Sequence, residues 1–115
     1  MNKLEVGMYA RTTELYGGLI SHITKVFEET KTVMLYGTGV AQYPFKEIQK
    51  ASNNIIDLIE VGDYVNGKKV SEIDFMIDDE KIIFAHDNKY HWFEEDIKSI
   101  VTKQQFSSME YRLGE

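Results

Sequence analysis

Leu4-Glu5-Val6-Gly7-Met8-Tyr9-Ala10 returns 55 residues later as Ile59-Glu60-Val61-Gly62-Asp63-Tyr64-Val65. Further blocks follow in the same order. Leu19-Ile20-Ser21-His22-Ile23 faces Lys69-Val70-Ser71-Glu72-Ile73, and Lys31-Thr32-Val33-Met34 faces Lys81-Ile82-Ile83-Phe84, both at an offset of 50. Glu47-Ile48-Gln49-Lys50 then faces Asp96-Ile97-Lys98-Ser99 at an offset of 49. Four blocks in one order indicate a duplicated unit of about 50 residues, with a first loop, Thr12 to Tyr16, that is longer in the first copy. The expected matching core positions are Val6, Ile23, Val33 and Ile48 in one copy and Val61, Ile73, Ile83 and Ile97 in the other.

Within each copy, short runs rich in β-branched and aromatic residues are bounded by Gly, Asn or Asp, which predicts strands. The second copy is the clearer. Asn66-Gly67 predicts a tight hairpin into a strand from Lys68 to Phe75. Asp78-Asp79 turns the chain into Lys81 to His86, and Asp87 to Tyr90 turns it into His91-Trp92-Phe93. Glu94 to Ile97 reads as one helical turn before a last strand, Lys98 to Val101. This order is that of an SH3-like small barrel. The expected fold is therefore mainly β: two tandem SH3-like units, 1–50 and 59–101, a linker at 51–58, and a capped helix with its tail at 102–115. A single irregular sheet shared by both copies is the alternative. Thr102-x-x-Gln105 has the form of a capping box, and Phe106, Met109 and Leu113 are spaced as the buried stripe of a helix running to about Tyr111. With only Ala51-Ser52-Asn53-Asn54 between the copies, Ile55, Ile56, Leu58 and Ile59 are expected in a joint core.

With 115 residues, 43% of them hydrophobic and 28% charged, the chain has the composition of a folded domain. Cysteine is absent, which excludes disulfides and thiolate metal sites. No apolar run approaches a membrane span and Met1-Asn2-Lys3-Leu4-Glu5 is too polar for a signal peptide, so a cytoplasmic location is expected. The net charge of −6 is unevenly placed: residues 1–57 carry six basic and six acidic groups, residues 58–115 seven and thirteen. Nucleic-acid binders normally show the opposite sign, because lysine and arginine contacts to phosphate supply their affinity. A partner protein with a basic surface suits this charge better.

Ile56-Asp57-Leu58-Ile59-Glu60-Val61-Gly62-Asp63-Tyr64-Val65-Asn66-Gly67 and Ile97-Lys98-Ser99-Ile100-Val101-Thr102-Lys103-Gln104-Gln105-Phe106 resemble a widespread group of short proteins encoded by phages and prophages of low-GC Gram-positive bacteria. The likeness covers about half the chain, from Ala51 to Tyr111, and the first copy and residues 68–95 vary within such proteins. It implies a phage accessory product without a catalytic motif. Such products often bind and block a host protein, including CRISPR effectors and other defence enzymes. The matching segments read as scaffold, which assigns specificity to the variable parts.

The residues that could carry chemistry have plainer explanations. If Asn88-Lys89 is a two-residue loop, His86 and His91 oppose each other, but two histidines without a third ligand make a weak metal site. Asp78-Asp79-Glu80 lacks the spacing of a calcium loop. Glu94-Glu95-Asp96 suits the start of a helical turn, where acidic residues are favoured. Tyr36-Gly37-Thr38-Gly39-Val40 lacks the Lys-Ser/Thr and the helix of a phosphate loop, and no placement supports a Ser-His-Asp triad. The expectation is a non-enzymatic protein with no cofactor and no metal.

What remains is seven Tyr, six Phe and one Trp, more than so small a core hides with ease. The expected partner-binding residues are Tyr16, Tyr36, Tyr43, Tyr90 and Trp92 with the acidic Glu72, Asp74, Glu94 and Glu95, which with Glu60 and Asp63 could form one acidic face. The expected function is occupation of a host protein, with a defence nuclease as the partner class, in the manner of an anti-CRISPR inhibitor. The alternatives are a nucleic-acid or nucleotide binder using Lys68, Lys69, Lys81 or Lys89, and a minor virion component.

Overall fold

A computed structural model describes residues 3–109. The chain divides between Ile59 and Glu60 into two units.

In the first unit, strands β1 (Tyr9–Thr12), β2 (Ile20–Phe27), β3 (Thr32–Leu35), β4 (Tyr43–Pro44) and β5 (Ile48–Ser52) form one antiparallel sheet in the order β4-β3-β2-β1-β5. In the second, β6 (Tyr64–Val65), β7 (Lys68–Phe75), β8 (Lys81–Ala85), β9 (Tyr90–Trp92) and β10 (Ile100–Val101) form another, in the order β10-β6-β7-β8-β9. With β10 as the counterpart of β5, the two orders are the same. Both sheets are open, and a 3₁₀ turn precedes the closing strand in each, Phe45–Glu47 and Glu94–Asp96. The fold is mainly β with one short helix, α1 (Lys103–Met109).

The repeated Val-Gly dipeptide has the same structural role in both copies. Gly7 and Gly62 hold φ of +95° and +100°, a region that disfavours any residue with a Cβ. Their N–H groups donate to Ile23 and Val70 carbonyls at 2.9 and 3.0 Å. The next residues, Met8 and Asp63, donate to Glu5 and Glu60 carbonyls and accept from the amides of Ile23 and Val70. Ile23 is thus the counterpart of Val70, not of Ile73. The true offset on this strand is 47, so Ile23 and Ile73 lie on equivalent strands three residues apart. Each strand carries a bulge just beyond this point, between Ile23 and Lys25 or between Val70 and Glu72, and neither shows in the apolar alternation.

The same comparison moves Val6 and Val61 out of the expected core. Each stands at the corner of a turn and is 64% or 52% exposed. Val33, Ile48 and Ile83 are buried as expected, whereas Ile73 and Ile97 are half-buried. The first unit packs Leu4, Met8, Ala10, Ile23, Val33, Leu35 and Ile48 together. Residues 51–58, expected as a linker, are built into this unit: Ala51 and Ser52 end β5, and Ile55–Leu58 form a 3₁₀ turn packed on β1 and β5 with Ile56 and Leu58 buried. The fully buried Arg11 side chain secures that turn by donating from Nη1 to the Leu58 carbonyl at 3.0 Å.

In the second unit, Asn66 and Gly67 both have positive φ, +51° and +80°, as a type I′ hairpin requires. The capping box also forms as read: Thr102 N donates to Gln105 Oε1 at 3.0 Å, and Gln105 N donates to Thr102 Oγ1 at 3.1 Å. Phe106 is 45% exposed and stacks on Tyr64 at 4.1 Å, so it covers a ring without being buried. The side chain of Met109, Leu113 and the expected continuation to Tyr111 lie outside the described residues.

Candidate functional site

The β8–β9 connection begins one residue earlier than expected. Ala85 pairs with Tyr90, Phe84 with His91 and Ile83 with Trp92, so the loop is the four residues His86 to Lys89. His86 therefore lies in the loop and His91 opposes Phe84, so the two-residue loop that would have set His86 against His91 does not form. His86, Asp87 and Asn88 all hold positive φ, between +55° and +64°. Three consecutive residues in that region need external support. Asn88 provides it: its N–H donates to Ser71 Oγ at 3.0 Å and its Nδ2 to Glu72 Oε1 at 2.9 Å. His86 N donates to the Lys69 carbonyl at 2.9 Å. An open depression of about 370 Å³ lies beside the loop, lined by Val61, Lys69, Val70, Ser71, His86 and Asp87.

This loop delivers the chain into β9, an edge strand, on which Tyr90 and Trp92 stack with centroids 5.8 Å apart and planes at 18°. Tyr90 is 43% exposed. His86 lies 6.0 Å from the Tyr90 ring, and the Lys68 ammonium stands 5.4 Å from the centre of that ring, within the range of a cation–π contact. Trp92 runs directly into Phe93, half-buried Glu94 and exposed Glu95 on the following 3₁₀ turn.

The first unit carries a counterpart. Tyr43 occupies the position equivalent to Trp92, and Tyr16 reaches its ring from the loop after β1, at 5.9 Å and 58°. That loop is held by Thr12, whose Oγ1 donates to the Tyr16 carbonyl at 3.1 Å and accepts from Leu19 N at 3.0 Å. Tyr36 belongs to a different group: 67% exposed, it stacks on His22 at 4.8 Å, and His22 meets Tyr9 edge-on at 6.4 Å.

Four of the five aromatics expected at a partner surface thus gather into one pair in each unit, Tyr16–Tyr43 and Tyr90–Trp92, and Tyr36 stands apart. Glu72 and Asp74 do not join Tyr90 and Trp92 on one face. Along β7, Glu72 and Asp74 oppose Phe84 and Ile82, whereas Tyr90 and Trp92 share the alternate face with Ile83 and Ala85. Glu72 is engaged by Asn88, and Asp74 Oδ1 accepts from Phe75 N at 2.8 Å. Asp63 is fully buried and has a structural role. Of the four acidic candidates, Glu94 and Glu95 are next to the aromatic pair in the chain. Sequence reading missed His22, His86 and Lys68 as members of these clusters. A register placing His22 beside Tyr36 across β2 and β3 would have indicated the first.

Among the described residues, no three histidine or carboxylate side chains are gathered at metal-binding distance, and no helix is long and apolar enough to cross a membrane. Comparison of the chain with family models, curated proteins and solved structures found no match.

Proposed function

We propose that this chain is a non-catalytic binding protein of two SH3-like small barrels. In this reading it is a phage accessory product that acts in the host cytoplasm by occupying a basic surface of a host protein, with a defence nuclease as the partner class. The observation that carries it is the Tyr90–Trp92 stack on the edge strand β9, leading into Glu94 and Glu95. Two rigid rings cover apolar area with little loss of side-chain entropy, and the adjacent carboxylates favour lysine or arginine opposite them. Lys68 over Tyr90 shows that a cation is accommodated on this surface from within the chain.

The same rings with Lys68 would also suit stacked bases of a single strand, and this rival makes opposite predictions. The test is expression of the protein in cells carrying defence systems, read as recovery of plaque formation, beside a mobility shift with a labelled oligonucleotide. The expected outcome is rescue that is lost in Trp92→Ala and reduced in the Glu94→Gln, Glu95→Gln double variant, with no shift. An oligonucleotide shift abolished by Lys68→Ala, without rescue, would replace this reading with the rival.

A further inference from the structure

The two copies provide an internal control for the hairpin between their second and third strands. Val26 pairs with Val33 in the first copy and Ile73 with Ile83 in the second, at equivalent places. Residues 27–32 make the connection in one copy and residues 74–82 in the other, three residues longer. The short version shows what the fold requires. Its loop, Glu28-Glu29-Thr30-Lys31, is wholly polar.

The extension in the second copy brings apolar side chains into water. Phe75 is 58% exposed, Met76 47% and Ile77 99%. The tip is nonetheless ordered by main-chain bonds: Met76 N donates to the Glu80 carbonyl at 2.8 Å, and Asp79 N donates to the Met76 carbonyl at 3.0 Å. Asp79 holds φ of +62°, as the last residue of a three-residue hairpin loop does. Asp78 and Asp79 are sufficient to explain the turn. A β-branched residue at Ile77 does nothing for it, because turns favour Gly, Pro, Asn, Asp and Ser. Three adjacent apolar side chains displayed by a preformed tip have the character of a contact surface.

Charge specifies what meets it. Asp74, Asp78, Asp79 and Glu80 surround the tip, against a single Lys81, whose ammonium lies 5.8 Å from the Phe75 ring centre. A second copy of the chain or an anionic lipid surface would bring like charges together. We propose that the β7–β8 hairpin is a docking element that places Met76 and Ile77 in an apolar recess rimmed by lysine or arginine on a partner protein. This deepens the binding function proposed above, and rests on it, by adding a contact element separate from the Tyr90–Trp92 edge.

The test uses the full chain with the photo-crosslinker p-benzoylphenylalanine in place of Ile77, of Tyr90, or of Glu29 as a control, irradiated in bacterial cells. The expected result is a dominant adduct from position 77 above the Glu29 control, attached at apolar residues flanked by Lys or Arg. The purified partner should then bind the Met76→Ser, Ile77→Ser variant at least tenfold more weakly, and bind the unmodified chain more weakly as salt rises. Circular dichroism of that variant should match the parent, since both side chains face water. Adducts from position 90 but none from position 77 overturn the hairpin and leave the binding function standing. Adducts from neither position overturn both. Attachment to the chain itself, to lipid or to a site without cations, or an unchanged affinity in the double serine variant, also overturns the hairpin.

Discussion

Asp63 shows how one side chain distinguishes two copies of the same turn. Its counterpart Met8 makes the same main-chain hydrogen bonds and is buried in the first core. Asp63 is equally buried, but its Oδ2 accepts from Glu60 N at 2.8 Å and its Oδ1 from Lys103 N at 2.9 Å. One carboxylate therefore fixes both the entry to β6 and the first residue of α1. Truncation strands two amide donors, and hydrogen bonds to a charged acceptor contribute roughly 1.5–3 kcal/mol each before relaxation. Asp63→Ala should accordingly lower unfolding free energy by about 2–4 kcal/mol in urea titration. The Lys103–Glu60 ion pair, at 3.0 Å but with the lysine side chain 44% exposed, is a much weaker link. Lys103→Ala should cost under about 1 kcal/mol. Equal losses in the two variants would mean that Asp63 acts through the ion pair and not through the amides.

Among the elements, the β6–β7 hairpin was the most legible, yet only half of its role was visible. Asn66-Gly67 specifies the turn by local chemistry alone. The Asn66 side chain also accepts from Lys98 N at 2.7 Å and Ser99 N at 3.2 Å and donates to the Asp96 carbonyl at 3.0 Å, which closes β10 against β6. Asn66→Gly keeps the backbone conformation and loses these bonds, so it should cost about 1–2 kcal/mol; Asn66→Ala adds the left-handed penalty and should cost about 1 kcal/mol more. Urea midpoints for the two variants check this, and equal midpoints would remove the backbone contribution. Legibility elsewhere followed the same division. The Asn66-Gly67 turn, the Thr102–Gln105 box and the Val33–Ile83 equivalence rest on local sequence and were read correctly. The β8–β9 loop was placed one residue late, because its conformation depends on Asn88 reaching Ser71 and Glu72, far off in the chain. The three-residue slip between Ile23 and Ile73 arose because the bulges leave no mark on apolar alternation. Arg11 resembles an ordinary strand cation, and its bond to the Leu58 carbonyl, 47 residues away, leaves no mark on the local sequence. The exposed Phe75-Met76-Ile77 tip was taken as strand and turn, since alternation cannot tell a hairpin end that faces water from one that is covered.

At the scale of the molecule, the copies share a strand order but differ in how their interiors are filled. The first unit buries Leu4, Met8, Ile23, Leu35 and Ile48 around Val33, with Leu19, Val26, Tyr43 and Phe45 against them. Among the described residues of the second, the buried apolar side chains are the smaller set Val65, Val70, Ile82, Ile83 and Ala85, and polar anchors at Asp63, Asn66 and Thr102 hold the ends of its elements. Less apolar area is buried there, so sub-global opening should begin in the second unit. Native-state hydrogen exchange should find the most protected amides in β2 and β3 and earlier exchange through β6 to β10. Val33 and Ile83, equivalent and both fully buried, allow a direct test. Ile83→Ala should cost about 2–5 kcal/mol. Its effect on exchange should be confined to the second unit, whereas Val33→Ala should lower protection in the first. A uniform fall across residues 3–109 from either substitution would show instead that the duplicated units open as one cooperative structure, and the division of roles between an apolar first copy and a polar-anchored second copy would not extend to their stability.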